Sequence, residues 1–195
     1  MPLPPVEAPT PSQPDTRSRI LTAAQRLFRK RGYHATGLND ILELAQAPKG
    51  SMYHHFPGGK EAIGVCVIED IAKSLLGLLA QSRVRSTEAL VLQVGENLSV
   101  TMEKTDYEIC TLFSAFAAER KSSPQLGVAV ATAYEGLVSA IATRLQSDGF
   151  APRAAQDKAL MVTALLEGGS LLSQSQQNSA TFRLSYKLAA ALCKI

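Results

Sequence analysis

The stretch Pro48–His55, PKGSMYHH, carries a dense set of hydrogen-bonding side chains. Lysine and serine can bond to base edges in the major groove of DNA, and a glycine between them lets the backbone approach closely. Tyrosine and histidine offer donors of the kind that hold phosphates. We therefore predict base contacts by Lys49, Gly50 and Ser51, and phosphate contacts by Tyr53, His54 and His55.

Thr36 and Lys60 stand at two expected helix starts on either side of this stretch. Threonine is a favourable N-cap, and we expect Thr36 to cap the helix that follows it. Lys60 comes directly after the stop sequence Pro57-Gly58-Gly59. Free N–H groups and the dipole at a helix start attract anions, so we expect both residues to lie at phosphate contacts.

Apolar residues at the helical period predict three short helices around these positions. The first runs from about Thr16 to Arg31 and ends at Gly32, the second follows Thr36, and the third covers Pro48 to His55. The second and third are separated by little more than Gln46 and Ala47. This layout is typical of a helix-turn-helix DNA reader.

Positive charge is concentrated in the same segment. Residues 16–60 contain eight lysines and arginines against two acids, Asp40 and Glu43, whereas the whole chain has a net charge of only +3. A basic segment on an otherwise neutral chain fits a polyanion-binding domain joined to a body with another task. The alternative, an ordinary solvated basic face, stays open from charge alone.

Apolar residues also recur at the helical period through the remaining chain, and strand signals are weak. We predict six further helices, which makes the fold all-α with about nine helices, at about 60–82, 87–104, 107–121, 124–148, 152 to beyond 172, and 181–193. Residues 1–15 hold six of the ten prolines and are expected to be a disordered tail. The predicted domains are a DNA-binding domain at 16–60 and a ligand-binding and dimerisation domain at 61–195.

The predicted helix after Pro152 is apolar nearly all round between Leu160 and Leu166, and Gly168 and Gly169 follow. A helix that is apolar on all sides must be covered on all sides, and small residues allow close backbone approach. We interpret it as half of a subunit interface. A central core helix of a monomer fits the segment nearly as well.

A small-molecule pocket in the body would use aromatic and methionine side chains with a few polar anchors. Any one of these residues could equally be plain core. The candidates are Met102, Tyr107, Cys110, Phe113, Phe116, Tyr134, Met161 and Leu165, with Asn97, Thr101 and Glu167 as polar anchors. Together they favour a mostly apolar effector.

The residue types argue against an enzyme. All three histidines, His34, His54 and His55, lie in the basic segment, and the three cysteines are too widely spaced for a zinc site or a disulfide framework. We expect no metal and no cofactor. A redox-sensing regulator acting through Cys66 or Cys110 stays open, as does a helical dimer that binds no DNA.

The cellular setting is read from what the sequence lacks. No apolar run approaches the roughly 20 residues that span a bilayer, and the N-terminus does not have the pattern of a secretory signal. We therefore expect no membrane association and a cytoplasmic protein.

Two stretches carry a family resemblance. LFRKRGYHATG and DILELAQAPKGSMYHHFPGGKEA resemble the N-terminal DNA-binding domain of the TetR family of transcriptional regulators, over about residues 16–65. The forms at 48–51 and 56–60 are similar to the LmrA/YxaF-like branch. The resemblance implies that Lys49, Gly50 and Ser51 face bases, while Thr36, Tyr53, His55 and Lys60 hold phosphates.

The same resemblance implies the architecture of the rest of the chain. The body would be all-helical and would dimerise through its last two helices as a four-helix bundle. The dimer would bind a palindromic operator in double-stranded DNA, and a small effector bound in the body would release it.

Overall fold

The computed structural model describes residues 15–108, 113, 116 and 118–195. Within these residues the chain forms eight α-helices and one 3-10 turn, with no strand, which confirms the all-α prediction. The predicted tail at 1–15 lies outside them except for Asp15. The helices are α1 (Thr16–Arg31), α2 (Leu38–Ala45), α3 (Lys49–His55), α4 (Gly59–Gln81), α5 (Thr87–Lys104), α6 (Pro124–Ser147), α7 (Pro152–Gln176) and α8 (Ala180–Leu192).

The first three helices form a small head around one buried cluster. The Asp15 carboxylate caps α1 by accepting from the Ser18 N–H at 2.6 Å. Gly32, with φ of 78°, ends the helix as predicted. Ile20 and Phe28 of α1 are buried in the same cluster as Ile41 of α2 and Met52 of α3. The head is therefore a packed unit and not a basic arm.

Helix α4 joins the head to the body without a break. Its residues Ile63 and Val67 belong to the same buried cluster as Phe28, while Leu75 and Leu79 pack against that cluster further along. At about 1.5 Å per residue, α4 extends for more than 30 Å. The domain boundary at residue 60 stays a prediction, since the head core continues into this helix.

The body is a layered set of long helices. Helix α4 packs on α6, α6 packs on α7, and both α5 and α7 pack on α8. A second buried cluster, which includes Val138, Leu145 and Val162, lies between α6, α7 and α8. Gly149, with φ of 110°, follows the end of α6 as predicted. Helix α4 is therefore packed on the body through α6.

The helix predicted from about Tyr107 to Lys121 differs at both ends. Tyr107 lies in a turn with φ of 59°, and its N–H donates to the Met102 carbonyl at 2.8 Å, which closes the end of α5. Ala118–Arg120 forms a 3-10 turn, and Lys121 lies in the turn that follows. Most of the remaining predicted helix falls outside the described residues.

Helix α6 also corrects an expectation about apolar runs. By length and composition it could cross a membrane, whereas no such segment was expected from the sequence. Leu126 and Leu145, near its two ends, are fully buried against other helices. A core helix of a globular protein passes the same test, and these contacts are of that kind.

Candidate nucleic-acid interface and effector site

The turn between α2 and α3 is short and well supported. Gln46 ends α2 in the left-handed conformation, and the Ala47 N–H donates back to the Leu42 carbonyl at 3.0 Å. Pro48 follows in extended conformation as the N-cap, so α3 begins at Lys49, one residue after the predicted start. The Arg19 guanidinium donates to the Gln46 carbonyl at 3.4 Å. The turn therefore holds α3 in a fixed orientation on the head.

One side of α3 is buried in the head core. Met52 is fully buried, and Phe56, directly after the helix, is 2% exposed. The Arg17 guanidinium lies 5.5 Å from the centre of the Phe56 ring, where a cation–π contact is favourable. Because this side is held inward, the other side of α3 must face solvent.

The three predicted base-reading residues lie together in the first turn of α3. Lys49 and Gly50 are exposed, and Ser51 is half-buried. No atom lies within 4 Å of where a Cβ on Gly50 would stand, apart from its own helix backbone and chain neighbours. The start of α3 therefore offers a short, open surface with a cation and a hydroxyl.

The predicted phosphate-binding residues of α3 are also on its open side. Tyr53 is 48% exposed, and His54 and His55 are exposed. The two imidazole rings lie 5.2 Å apart, edge to face. The structure thus brings all three donors next to the base-reading turn.

Thr36 lies in a different setting from the one expected. It is 1% exposed, and its hydroxyl donates to the Gly32 carbonyl at 2.7 Å. The prediction that it caps α2 is wrong, because Gly37 is the N-cap and the Asp40 carboxylate accepts from its N–H. The hydroxyl is used at the end of α1, where carbonyls lack helical partners.

Lys60 holds the loop between α1 and α2 from the start of α4. Its ammonium donates to the carbonyls of Tyr33 at 3.1 Å, His34 at 3.4 Å and Thr36 at 3.0 Å. It also lies 4.4 Å from the centre of the Tyr33 ring. Sequence reasoning missed these contacts, although a loop without regular structure leaves carbonyls that a nearby cation can satisfy.

Sequence reasoning also missed an aromatic cluster that joins the head to Phe116. The rings of Phe28, Tyr33 and Phe116 lie 5.2 to 5.9 Å apart in a triangle. Burial raises the pKa of Tyr33, and a hydrogen bond to Ser123 lowers it in part. Gly64 of α4 packs closely beside this cluster, since an added Cβ would lie 2.8 Å from Leu126 Cδ2 and 3.1 Å from the Tyr33 ring and would force those side chains to shift.

The head therefore meets the body at a second place besides α4. The Lys30 ammonium lies 3.2 Å from the Glu108 carboxylate, and the His34 imidazole lies 3.9 Å from the Glu119 carboxylate. Both pairs join α1, or the loop after it, to the segment between α5 and α6. Exposed pairs of this kind add little stability.

Comparison with known protein families shows which family the chain belongs to. Residues 20–63 match the family described as bacterial regulatory proteins, tetR family. Residues 87–187 match the C-terminal domain of LmrA/YxaF-like transcriptional regulators. The chain belongs to the TetR family. It is thus a transcriptional regulator with a helix-turn-helix head, and not an enzyme.

Two relatives from Bacillus subtilis are similar to this TetR-family chain over most of its length. It is 33% identical to the HTH-type transcriptional regulator LmrA, covering 85% of this chain and 89% of LmrA. It is 32% identical to the regulator YxaF, covering 89% of this chain and 92% of YxaF. The branch inferred from the sequence is confirmed.

Solved structures agree on the fold. A TetR transcriptional regulator from Legionella pneumophila superposes with a TM-score of 0.79 at 22% identity, covering 91% of this chain and 97% of that one. The reduced form of Escherichia coli NemR gives a TM-score of 0.73, also at 22% identity, covering 90% of this chain and 95% of that one. The body of this TetR-family protein therefore has the expected helical architecture.

The last two helices present a wide apolar surface. Large apolar side chains on α7 and α8 are half or more exposed, and Gly168 has open space above it. They are Leu160, Met161, Leu171, Leu172, Leu184 and Leu188. Contiguous apolar exposure of this kind is typical of a protein–protein contact.

The residues predicted to form a pocket lie at several separate places. Phe113 and Phe116 belong to the cluster shared with the head, and Met102 packs with Phe182 and Tyr186 under α8. Phe113 also lies 5.1 Å from Tyr134, ring centre to ring centre. Aromatic spacing along a helix does not tell which neighbour a ring meets, so the pocket grouping stays a prediction.

The other candidates divide in the same way. Tyr107 packs beside the cluster under α8, Leu165 packs against the α6–α7 cluster, and Met161 is 52% exposed on the apolar surface. Asn97 is exposed, and its carbonyl accepts from the Thr101 hydroxyl at 2.8 Å. Cys110 lies outside the described residues.

Glu167 is the predicted anchor that does line a cavity, between α4, α5, α6 and α7. The volume of this cavity is about 130 Å³. Most of its lining is apolar, from Leu75, Leu78, Leu79, Val94, Leu98, Leu137, Ile141 and Leu166. Tyr134 hydrogen-bonds Glu167 from α6. In this cavity a predicted polar anchor lies opposite a mostly apolar wall.

The described cysteines offer little support for thiol chemistry. Burial raises the pKa of Cys66 despite the Arg17 guanidinium 3.6 Å from its sulfur, and burial raises the pKa of Cys193 to about 11. Reactive thiols are ionised near neutral pH and accessible. Redox sensing through Cys66 is therefore disfavoured.

Proposed function

We propose that this TetR-family protein is a cytoplasmic repressor that binds a palindromic operator as a homodimer and is released by a small, mostly apolar effector. The observation that carries the proposal is the open side of α3. Its buried side is held by Met52 and Phe56, and its other side presents Lys49 and Gly50 to solvent. A helix held in this way fits the major groove.

Base reading is assigned to the first turn of α3. The Lys49 ammonium can donate to guanine O6 and N7, and the Ser51 hydroxyl can bond to several base edges. The open space around Gly50 lets the helix approach the groove floor. Tyr53, His54 and His55 would then meet phosphates and set the register.

Thr36 and Lys60 remain among the proposed phosphate contacts. Their hydrogen bonds support an indirect role, in which they orient the backbone N–H groups at the start of α2. Both hold the loop just before α2, Thr36 through Gly32 and Lys60 through three carbonyls. Helix α2 begins at Leu38, and its first N–H groups have no helical partner. A fixed loop keeps those groups aimed at one phosphate position.

Dimerisation is assigned to α7 and α8. Pairing these helices with their copies as a four-helix bundle would cover the exposed leucines, and Gly168 would allow close approach of the backbones. A two-fold dimer reads two half-sites about 34–36 Å apart, one turn of DNA. The operator would accordingly be palindromic.

Release follows from the position of α4. Its first half lies in the head core through Ile63 and Val67, and its second half lines the cavity through Leu75 and Leu79. An effector that prefers another placement of α4 lowers operator affinity by its difference in affinity for the two states, and by no more. The cavity and α3 are thereby linked through one helix.

The test is binding of the purified protein to a palindromic fragment from upstream of its own gene, measured by fluorescence anisotropy at several salt concentrations. A scrambled fragment of equal composition is the control. We expect a preference of about 10³-fold or more for the palindrome, and affinity that falls steeply with salt. Equal binding to both fragments, or none to either, would overturn the proposal.

A further inference from the structure

Helix α5 lies between the effector cavity and α8. Val94 and Leu98 on one side of α5 line the cavity between α4, α5, α6 and α7. On the side that packs on α8, Gly95 leaves so little room that an added Cβ would lie 2.6 Å from the Tyr186 Cβ. Because protein interiors are close-packed, a displacement of α5 at the cavity presses on α8.

Helix α8 in turn lies between α5 and the proposed dimer surface. Phe182 and Tyr186 of α8 are buried in one cluster with Met102 of α5. Leu184 and Leu188, by contrast, are 60% and 50% exposed. The cavity and the proposed dimer surface are therefore connected through two helices in direct contact.

A cluster of charged and polar side chains joins these two helices. The Arg183 guanidinium of α8 donates through Nη1 to both carboxylate oxygens of Glu96, at 2.7 and 2.9 Å, and through Nη2 to Glu103 at 3.3 Å. Its Nε donates to the Ser179 hydroxyl oxygen at 3.4 Å, and that hydroxyl donates to Glu103. The Tyr186 hydroxyl donates to Glu96 at 2.5 Å. One guanidinium thus holds two successive turns of α5.

This cluster sets geometry more than stability. The Arg183 side chain is 32% exposed and both carboxylates are more so, and exposed ion pairs add little stability. A guanidinium is planar with its donors in fixed directions, so several partners at once allow it one orientation. The hydrogen bonds from Tyr186 and Arg183 lower the pKa of Glu96, which keeps that carboxylate ionised at neutral pH. The cluster therefore fixes the position of α8 along α5.

We propose that Arg183 is a positioning residue that couples the effector cavity to the dimer surface. A ligand that moves the α5 wall of the cavity would also move Leu184 and Leu188 and weaken the dimer. By linkage, the same ligand binds the dimer more weakly than the monomer. The inference rests on the proposed function, and it adds how the cavity acts on the dimer.

A double-mutant cycle on the intact protein tests the coupling. Val94→Phe adds volume on the α5 wall in place of a ligand, and Arg183→Gln removes the charged donors. Both changes lie outside α7, which also lines the cavity and carries part of the proposed dimer surface. Sedimentation equilibrium gives the dissociation constant of the dimer for the wild type, the two single variants and the double variant.

We expect Val94→Phe to raise this dissociation constant about fivefold or more when Arg183 is present, and about twofold or less in the Arg183→Gln background. Equal effects in the two backgrounds, or no effect in either, would overturn the inference. Melting curves show which variants are folded. Leu98→Phe, on the same wall, takes the place of Val94→Phe if that variant is destabilised.

Two further variants separate orientation from charge. Lys187→Gln is the matched control, because Lys187 is an exposed lysine one turn further along α8 and loses the same charge. It should keep the full response to Val94→Phe. Arg183→Lys keeps the charge without the planar donors, so the response should lie between those of arginine and glutamine. A full response with lysine, or a lost response in Lys187→Gln, would overturn the positioning role of Arg183.

Glutamates at both Leu184 and Leu188 distinguish this inference from the proposed function. If the dimer persists with both, the proposed interface is wrong and the inference falls with it. If they give a monomer and the cycle shows no coupling, the inference alone is overturned and the proposed dimer stands.

Discussion

The ammonium nitrogen of Lys60 lies 3.0 Å from the carbonyl oxygen of Thr36, and this bond ties the first turn of α4 to the loop that precedes α2. Two further carbonyls, of Tyr33 and His34, accept from the same ammonium. A single side chain thus joins the helix that leaves the head to the loop that orients α2. Movement of α4 would carry this loop with it.

Replacing Lys60 by Ala should destabilise the head by about 1–3 kcal/mol, because three carbonyls lose a charged donor. Binding to all DNA sequences should weaken as a result. Thermal unfolding of the free protein measures the first effect, and anisotropy at several salt concentrations measures the second. Lys73→Ala is the control, since Lys73 is an exposed lysine on the same helix.

The salt dependence separates two roles for Lys60. A residue that holds a phosphate changes the slope of log affinity against log salt by about one when it is removed. A residue that only holds the loop leaves the slope unchanged and lowers the melting temperature. A lower slope with normal stability would show that the three carbonyl contacts matter little.

Lys49→Ala should relax the preference at one operator position by about 1–3 kcal/mol while leaving the fold intact, because Lys49 is exposed at the start of α3. The measurement is affinity for a set of operators that differ at single positions. An equal loss on every member of the set would mean that Lys49 contacts only the DNA backbone.

Tyr53→Phe should weaken binding to operator and scrambled DNA by the same factor, corresponding to about 0.5–1.5 kcal/mol for one hydrogen bond. The ring is 48% exposed, so loss of the hydroxyl should not change the melting temperature. Competition between the two fragments measures the ratio. A change in this ratio would assign Tyr53 to base reading instead.

The head could be predicted from sequence because its signals are local. The residues from Lys49 to His55 are enough to predict the helix, the burial of Met52 and the solvent-exposed side. The prediction that Thr36 caps α2 was wrong, because its hydroxyl bonds back to Gly32 four residues earlier and Gly37 is the N-cap. The carbonyl contacts of Lys60 were missed because their acceptors lie more than twenty residues earlier in the chain, where no local pattern records them.

The helices of the body were predicted from the sequence, whereas the grouping of the pocket residues stays a prediction that periodicity cannot decide. Periodicity tells which side of a helix is apolar, and it does not tell which helix covers that side. Phe116 was expected near an effector and instead packs on Phe28 of the head. Glu167 lines a mostly apolar cavity, and its part as a polar anchor stays a prediction.

Dimerisation can be tested on the exposed surface of α8. Leu184 and Leu188 are 60% and 50% exposed, and a glutamate at both positions would be buried without a partner in the proposed four-helix bundle. We expect the double variant to sediment as a monomer and to lose about 10²-fold or more in operator affinity, since one head binds alone. Val128→Glu is the control, because Val128 is 65% exposed on α6.

Two helical glycines should respond in opposite directions to the same substitution. At Gly95 on α5, a Cβ would lie 2.6 Å from the Tyr186 Cβ, and that side chain is held by a hydrogen bond from its hydroxyl to Glu96. At Gly77 on α4, nothing lies within 4 Å of an added Cβ. Alanine in a helix interior is more favourable than glycine by about 0.5–1 kcal/mol, whereas overpacking costs about 1–3 kcal/mol. Gly95→Ala should therefore lower the free energy of unfolding and Gly77→Ala should raise it, as measured by urea denaturation. Stabilisation by both changes would show that α5 and α8 separate easily at Tyr186.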